Sequence, residues 1–219
     1  MNKLKRKYSK NDHFKDENIL PYELQRKRYK TILPFLQKLK LSYILDIGCQ
    51  LGDSCYLISQ LGHKVFGVEI DTGCVELAKK KYPTLNIQWG DCEREISFPD
   101  KYFDLVWAGD VIEHIRSTDV FINEINRVLK VSGLFVLTTP MHNRIKNMLI
   151  SITNFEKHFN PEFSHYRFYS KNSLKGVLEK RGFNIRSMKY IGRIPPIAET
   201  MYVIAEKIED KMVMGEHPY

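Results

Sequence analysis

Two rhythms of apolar residues alternate along the chain: short continuous runs closed by glycine or an acid, and longer stretches with apolar residues at helical spacing. "YILDIG" (43–48) reads as a buried strand, short and apolar and ended by glycine. Residues 53–61 read as a helix closed by Gly62, "KVFGVEI" (64–70) as a second strand, 72–82 as a helix that Pro83 terminates, and "NIQWGD" (86–91) as a third strand. "YFDLVWAGD" (102–110) is a fourth strand, followed by a helix near 117–130 that starts at Ser117 and stops before Gly133, and by a fifth strand, "GLFVLTTP" (133–140). Strands alternating with helices of about 10–15 residues specify an α/β fold with a parallel sheet covered on both faces.

The ends differ from this core. Residues 22–40 carry apolar positions at helical spacing, with Pro34 marking a break or a new start. Residues 141–170 mix aromatics, histidines and cations without a clean period, and read as an excursion over the sheet's edge, a lid or substrate cap. A helix at about 171–181 ends at Gly182, and "FNIRSMKYIG" and "ETMYVIAEKI" read as two strands paired antiparallel. The expected organisation is a basic arm and helical segment (1–42), a ligand-binding core (43–140), a cap (141–170), a helix and strands completing the sheet (171–208) and a tail (209–219). "MLISITNF" (148–155) fits a cap helix, a dimer contact or a shallow membrane contact. Oligomeric state is not legible.

Composition narrows the class. The chain has 219 residues, 43% hydrophobic and 27% charged, ordinary globular values and enough for a full core. No apolar run approaches the roughly 18 residues that span a bilayer, so no transmembrane segment is expected. The basic N-terminus is not followed by the apolar segment of a secretory signal, which points to the cytoplasm. Cys49, Cys55, Cys74 and Cys92 show no C-x-x-C spacing and no clustered histidines, so no metal site or disulfide is expected and the cysteines read as small buried residues. The formal charge of +8 suits an anionic partner, but Lys3, Lys5, Arg6, Lys7 and Lys10 concentrate it in the arm, where a solubilising tail explains it. The aromatic and glycine patterns of RNA recognition modules are missing, so nucleic acid is not favoured as a partner.

The candidate chemistry centres on "ILDIGCQLGDS" (44–54). In open α/β sheets ligands sit beyond the carboxyl ends of the strands, where the chain order switches direction. Gly48 and Gly52 permit a tight turn there, and Glu69 ends the next strand, where a carboxylate can bind both ribose hydroxyls. A dinucleotide fits poorly: G-x-G-x-x-G is missing, and a pyrophosphate gains nothing from the negative charge that Asp46 and Asp53 bring to the turn. A nucleoside ligand carrying a cation fits better. S-adenosyl-L-methionine, with its ammonium and sulfonium, is one.

Residues 43–140, nearly half the chain, resemble the class I S-adenosylmethionine-dependent methyltransferases. "DIGCQLG" resembles that family's D-x-G-x-G-x-G turn, with Gln50 where glycine is common; "VEID" resembles its ribose-binding acid, and "WGDCE" its adenine-contacting aspartate. "FDLVWAGDVIEHI" is similar to the fourth strand and its turn, "INRVLKVSGLFVLTTP" to the helix and fifth strand, and the tail "HYRFYSKNSLKGVLEKRGFNI" to the end of many small methyltransferases. The resemblance implies a Rossmann-like, mostly parallel seven-stranded sheet with an antiparallel C-terminal strand. It also implies S-adenosyl-L-methionine as cofactor and S-adenosyl-L-homocysteine as product. By resemblance Asp46 orients the loop and the cofactor's ammonium, or else caps the following turn; Gly48 and Gly52 line the methionine, Glu69 holds the ribose, and Ile70 is a further cofactor-binding position. Asp91 takes the adenine amine with Cys92 giving backbone contact, and Asp110 is a further cofactor-binding position. Asp71 reads as a helix N-cap rather than a ligand.

A hydroxyl acceptor needs its proton removed, a task suited to histidine. His114 in "DVIEHI" and His165 in "SHYRFYS" are the catalytic candidates; Glu113 can point either way, and His142 reads as an exposed loop residue at the cleft's rim. Arg144, Lys146 and Arg167 suit an anionic acceptor or a solvated basic face. Ala108-Gly109-Asp110-Val111 lacks the N-P-P-Y pattern of relatives that methylate base amines. The leading expectation is O-methylation of a small-molecule acceptor, a sugar, lipid-linked or quinone-like compound. RNA or protein methylation and a non-catalytic cofactor-binding module are the alternatives, with a NAD(P) oxidoreductase behind them.

Overall fold

The computed structural model describes residues 29–30, 32–40, 42–160, 165–192 and 199–210. The basic stretch 1–10 and the tail 211–219 lie outside the described residues. The chain divides into two units, residues 1–38 and 39–219. In the first, residues 32–36 are helical and Gln37 N donates to the Leu33 carbonyl across Pro34, so the proline does not break this turn as the sequence suggests.

The second unit is built on seven strands. β1 (Tyr43–Ile47), β2 (Lys64–Glu69) and β3 (Asn86–Trp89) alternate with α1 (Asp53–Ser59) and α2 (Thr72–Lys81). β4 (Phe103–Gly109) leads through a 3₁₀ turn (Ile112–His114) to α3 (Thr118–Val128) and β5 (Leu129–Pro140). α4 (Arg144–Thr153), α5 (Phe155–His158) and α6 (Lys171–Glu179) precede β6 (Phe183–Ile191) and β7 (Thr200–Lys207). The spatial order is β3-β2-β1-β4-β5-β7-β6. All pairs from β3 to β5 are parallel; β7 runs antiparallel to both neighbours, as expected for the C-terminal strand.

The order fixes where a ligand sits. From β1 the chain builds outward through β2 and β3, then returns to the other side of β1 for β4 and β5. Right-handed crossovers therefore place α1 and α2 on one face and α3 on the other. The crevice between the carboxyl ends of β1 and β4 is the switch point. The core runs through the sheet's centre: Leu45, Ile47, Val106, Ala108, Phe135 and Leu137 pack with Phe121, Ile122 and Ile125 of α3.

One boundary departs from the pattern. β5 begins at Leu129, not at Gly133, because the chain leaves α3 directly into the sheet. Leu129 pairs with Phe103, then the register jumps so that Leu134 meets Leu105. Ser132 takes φ 65° in the extra residues. A side chain at Gly133 would strike the Lys130 carbonyl, so glycine marks the bulge rather than the helix end. Leu129 and Lys130 continue the helical spacing of α3, which hides the break from the sequence.

Candidate active site

The first strand delivers Asp46 to the floor of the turn, where it is buried. Its carboxylate accepts from Ser54 Oγ and from Cys55 Sγ at 3.3 Å, both in the first turn of α1. Burial pushes its pKa up to about 7 despite those donors. The side chain thus ties the start of α1 to the strand, the capping role that the sequence offered as one of two readings. Asp53 is a correction. It does not add charge to the turn, because Lys81 Nζ at 2.6 Å and the Tyr82 hydroxyl at 2.7 Å take up its carboxylate on α2's side.

The turn itself is left-handed at three places: Gly48 (φ 70°), Gln50 (φ 48°) and Gly52 (φ 76°). A Cβ on Gly48 would lie 2.8 Å from Val111 Cγ2, two residues beyond β4, so the glycine also lets the two strand ends approach. Gln50 N donates to Glu69 Oε2 at 2.9 Å, and Asp71 N to Glu69 Oε1 at 3.0 Å. The two backbone donors hold the Glu69 carboxylate in one orientation at the end of β2, with lone pairs left for a pair of hydroxyls. Asp71 is the N-cap of α2, accepting from Cys74 N at 2.8 Å, as expected.

Beyond Glu69 the Ile70 side chain stands exposed, and Trp89 Nε1 donates to the Ile70 carbonyl at 2.9 Å. Trp89, itself exposed, was not among the sequence candidates. A large indole left in solvent at a strand's carboxyl end is the signal that would have marked it. Asp91 accepts from Glu93 N at 2.9 Å and pairs with Arg94. The Cys92 thiol is pushed up to about 12, chiefly by burial, so it stays neutral. At the end of β4, Asp110 takes φ 52° and is fixed to β5 through Thr138, whose hydroxyl donates to Asp110 Oδ1 at 2.6 Å.

The 3₁₀ turn and the returning chain meet beyond the end of β4. Glu113 points inward: it is buried and accepts from Thr139 Oγ1 at 3.0 Å. Its carbonyl accepts from Tyr166 N at 2.9 Å and Arg167 N at 3.1 Å. Those bonds bring His165 against His114, rings edge to face at 4.7 Å between centroids. Ligand atoms of Glu113, His114 and His165 all lie within 4.8 Å of one another, a clustering the sequence did not reveal and a set that can hold a metal ion. Fifty residues of chain separate the histidines, and only the fold joins them.

His142 is buried rather than an exposed loop residue. Its Nδ1 meets Asn147 Oδ1 at 3.0 Å, and burial lowers its pKa to about 4, so it is a neutral structural group. Two cations flanking this region are partly committed too: Lys146 Nζ donates to the Met141 carbonyl at 2.8 Å, and Arg167 to the Arg116 carbonyl at 2.7 Å. An isolated bridge joins Met141 to Tyr169.

Comparison with known proteins agrees with this geometry. Residues 45–137 match the family described as "Methyltransferase domain". Residues 45–137, which hold β1 to β5 through Leu137, are thus similar to the S-adenosylmethionine-dependent methyltransferase class. The chain is 30% identical over 142 residues to a probable S-adenosylmethionine-dependent methyltransferase of Mycolicibacterium smegmatis, covering 65% of this chain and 52% of that one. It is 35% identical over 104 residues to a ubiquinone biosynthesis O-methyltransferase of Bradyrhizobium diazoefficiens, covering 46% and 40%. The chain thus spans about half the length of these curated relatives, or less. The crystal structure of the PH0226 protein from Pyrococcus horikoshii superposes with a TM-score of 0.68 at 22% identity, over 92% of this chain and 98% of that one. S-adenosyl-L-methionine is the cofactor of this class. Among the described residues no helix is long and apolar enough to cross a membrane.

Proposed function

We propose that the protein transfers a methyl group from S-adenosyl-L-methionine to a hydroxyl of a small-molecule acceptor, sugar, lipid-linked or quinone-like. The observation that carries the reading is the Glu113–His114–His165 cluster, formed just after β4 in a turn whose Val111 lies against Gly48 of the glycine turn. In this reading the cofactor lies across the β1/β4 crevice. Gly48 and Gly52 leave room for its methionine, and Glu69 takes the ribose hydroxyls. Ile70, Trp89, Asp91 and Cys92 border the adenine, and Asp110 closes the β4 end. The sulfonium supplies a methyl carbon already activated for in-line displacement. Asp46, in its ionised form, favours the cation above it.

The chain's own chemistry is positioning and proton removal. The acceptor hydroxyl loses its proton to His114 or His165 as its oxygen takes the methyl, and the sulfonium's electron pair returns to sulfur as S-adenosyl-L-homocysteine leaves. Buried Glu113 favours the imidazolium that forms, in the manner of a carboxylate behind a catalytic histidine. The cap residues 141–170 serve in this reading as the acceptor's cover, with Arg144 available to an anionic group.

The test is methyl transfer to a panel of phenolic, catecholic and sugar acceptors, read as S-adenosyl-L-homocysteine released. Of His114→Ala and His165→Ala, the one that removes the proton acceptor should lower kcat about a hundredfold or more, with S-adenosyl-L-homocysteine affinity near wild type in both. Tight product binding with no turnover on any acceptor would instead support a non-catalytic module. The same three ligand atoms favour one second reading, in which they grip a divalent cation that orients acceptor oxygens. Turnover abolished by chelator and restored by a divalent cation supports it; chelator-insensitive turnover rejects it.

A further inference from the structure

Helix α4 is amphipathic in the inverted sense. The side turned to the protein is polar: Asn143 caps the helix by accepting from Lys146 N, the Lys146 ammonium reaches the Met141 carbonyl, and Asn147 meets the His142 ring. The other side carries Ile145, Met148, Leu149 and Ile152 at positions i, i+3, i+4 and i+7, with exposures of 51%, 57%, 44% and 76%. Phe155, 53% exposed, continues the stripe into α5. No residue of α4 is buried. Single exposed apolar side chains are ordinary, but a contiguous stripe along one helix face marks an interaction surface.

The charges around the stripe choose the partner. Between residues 141 and 155 the sequence holds Arg144 and Lys146 and no acid, and the oppositely charged pair Glu156 and Lys157 follows directly after the stripe. The protein as a whole carries +8, much of it in the arm with Lys3, Lys5, Arg6, Lys7 and Lys10. A cation-flanked apolar helix face is suited to the headgroup region of an anionic bilayer, and a basic arm supplies the second signal that stable attachment needs. A symmetric contact with a second copy would instead set like charges against each other. At ten residues α4 is too short to span a bilayer, which takes about 20.

We propose that α4 docks the protein on anionic lipid surfaces. The stripe from Ile145 to Phe155 sinks into the boundary between headgroups and acyl chains, and Arg144 and Lys157 remain at the level of the lipid phosphates. This attachment stands apart from methyl transfer: neither requires the other, so each fails separately.

The experiment is flotation of the full chain with vesicles of phosphatidylcholine alone and of equal parts phosphatidylcholine and phosphatidylglycerol. Wild type should float with the mixed vesicles and not with the neutral ones, and added salt should release it. Met148→Glu combined with Ile152→Glu should weaken binding about tenfold or more, with an unchanged melting curve because both side chains face solvent. Should the double variant melt early, Ile152→Ser alone, at the most exposed position of the stripe, carries the test. Failure to float with the mixed vesicles overturns the proposal. So does binding that the substitutions leave intact, which would assign it to the arm. A wild-type dimer in sedimentation that the double variant dissolves would also overturn it, in favour of a second copy.

Discussion

Gln50 holds a left-handed backbone, φ 48°, where the resembled turn commonly carries glycine. Its bond to Glu69 uses the backbone N–H, so the side chain is not needed to make it. A non-glycine residue in this region costs about 1 kcal/mol, part of which glycine returns through its freer unfolded chain. Gln50→Gly should therefore stabilise by about 0.5 kcal/mol and raise the melting temperature by about 2 °C, with S-adenosyl-L-homocysteine affinity retained; a scan by differential calorimetry checks it. Glu69→Ala should weaken that ligand at least about tenfold in isothermal titration, and NAD should bind neither protein. At this scale the sequence was informative about residue type and less so about direction. An acid at a strand end and an N-cap before a helix follow from local chemistry, as at Glu69 and Asp71. Asp53 and His142 do not, because Lys81 and Asn147 decide where they point.

Lys207 shows how one element closes another. Its side chain is fully buried at the end of β7, yet its ammonium donates to the Asn126 carbonyl at 2.5 Å and the Leu129 carbonyl at 2.9 Å and pairs with Asp210 at 2.6 Å. Those carbonyls belong to the last turn and exit of α3, where a helix presents unpaired acceptors and the negative end of its dipole. A buried cation is tolerated because every donor is used. Lys207→Met keeps the bulk and orphans the acceptors, so it should cost about 1–3 kcal/mol in urea-induced unfolding. A loss below a few tenths would show that water replaces the ammonium. The helix's apolar stripe (Phe121, Ile122, Ile125) was readable from period alone, but its end was not. The stop lies in β7's lysine and in the bulge before Gly133, neither of which marks residues 128–130 themselves.

At the scale of the molecule two buried groups set opposing pH dependences. Asp46 releases its proton at 3.8 in the unfolded reference and at about 7 when folded, chiefly through burial. Between those values the unfolded chain has lost a proton that the folded protein keeps, so this group lowers stability as pH rises. His142 binds its proton at 6.5 unfolded and only at about 4 folded, again through burial. Between those values the unfolded chain takes up a proton that the folded protein refuses, so this group lowers stability as pH falls. Each slope is at most about 1.4 kcal/mol per pH unit, and the two offset between roughly pH 4 and 6.5. Asp46→Asn should leave stability rising with pH across that window and stabilise the protein at pH 8, while weakening S-adenosyl-L-homocysteine binding. His142→Gln should leave it falling with pH from 4 to 7. Denaturant midpoints at several pH values check both signs; parallel curves for the two variants would show that neither group titrates as placed.

What the sequence by itself determined was whatever short-range periodicity and local chemistry encode. The alternation of strands and helices, the glycine turn after β1, the acid ending β2 and the antiparallel pair at the C-terminus are all written within windows of a few residues, where steric limits and apolar spacing act. The tertiary structure alone decided which distant groups meet. His114 and His165 face each other because Tyr166 and Arg167 donate to the Glu113 carbonyl. Asp53 turns to α2 because Lys81 waits there, and α4 shows its apolar side outward because His142 and the Met141 carbonyl claim its polar side. Such pairings depend on loop closure and on which polar groups burial leaves in need of partners, and those are properties of the folded chain rather than of any stretch of it.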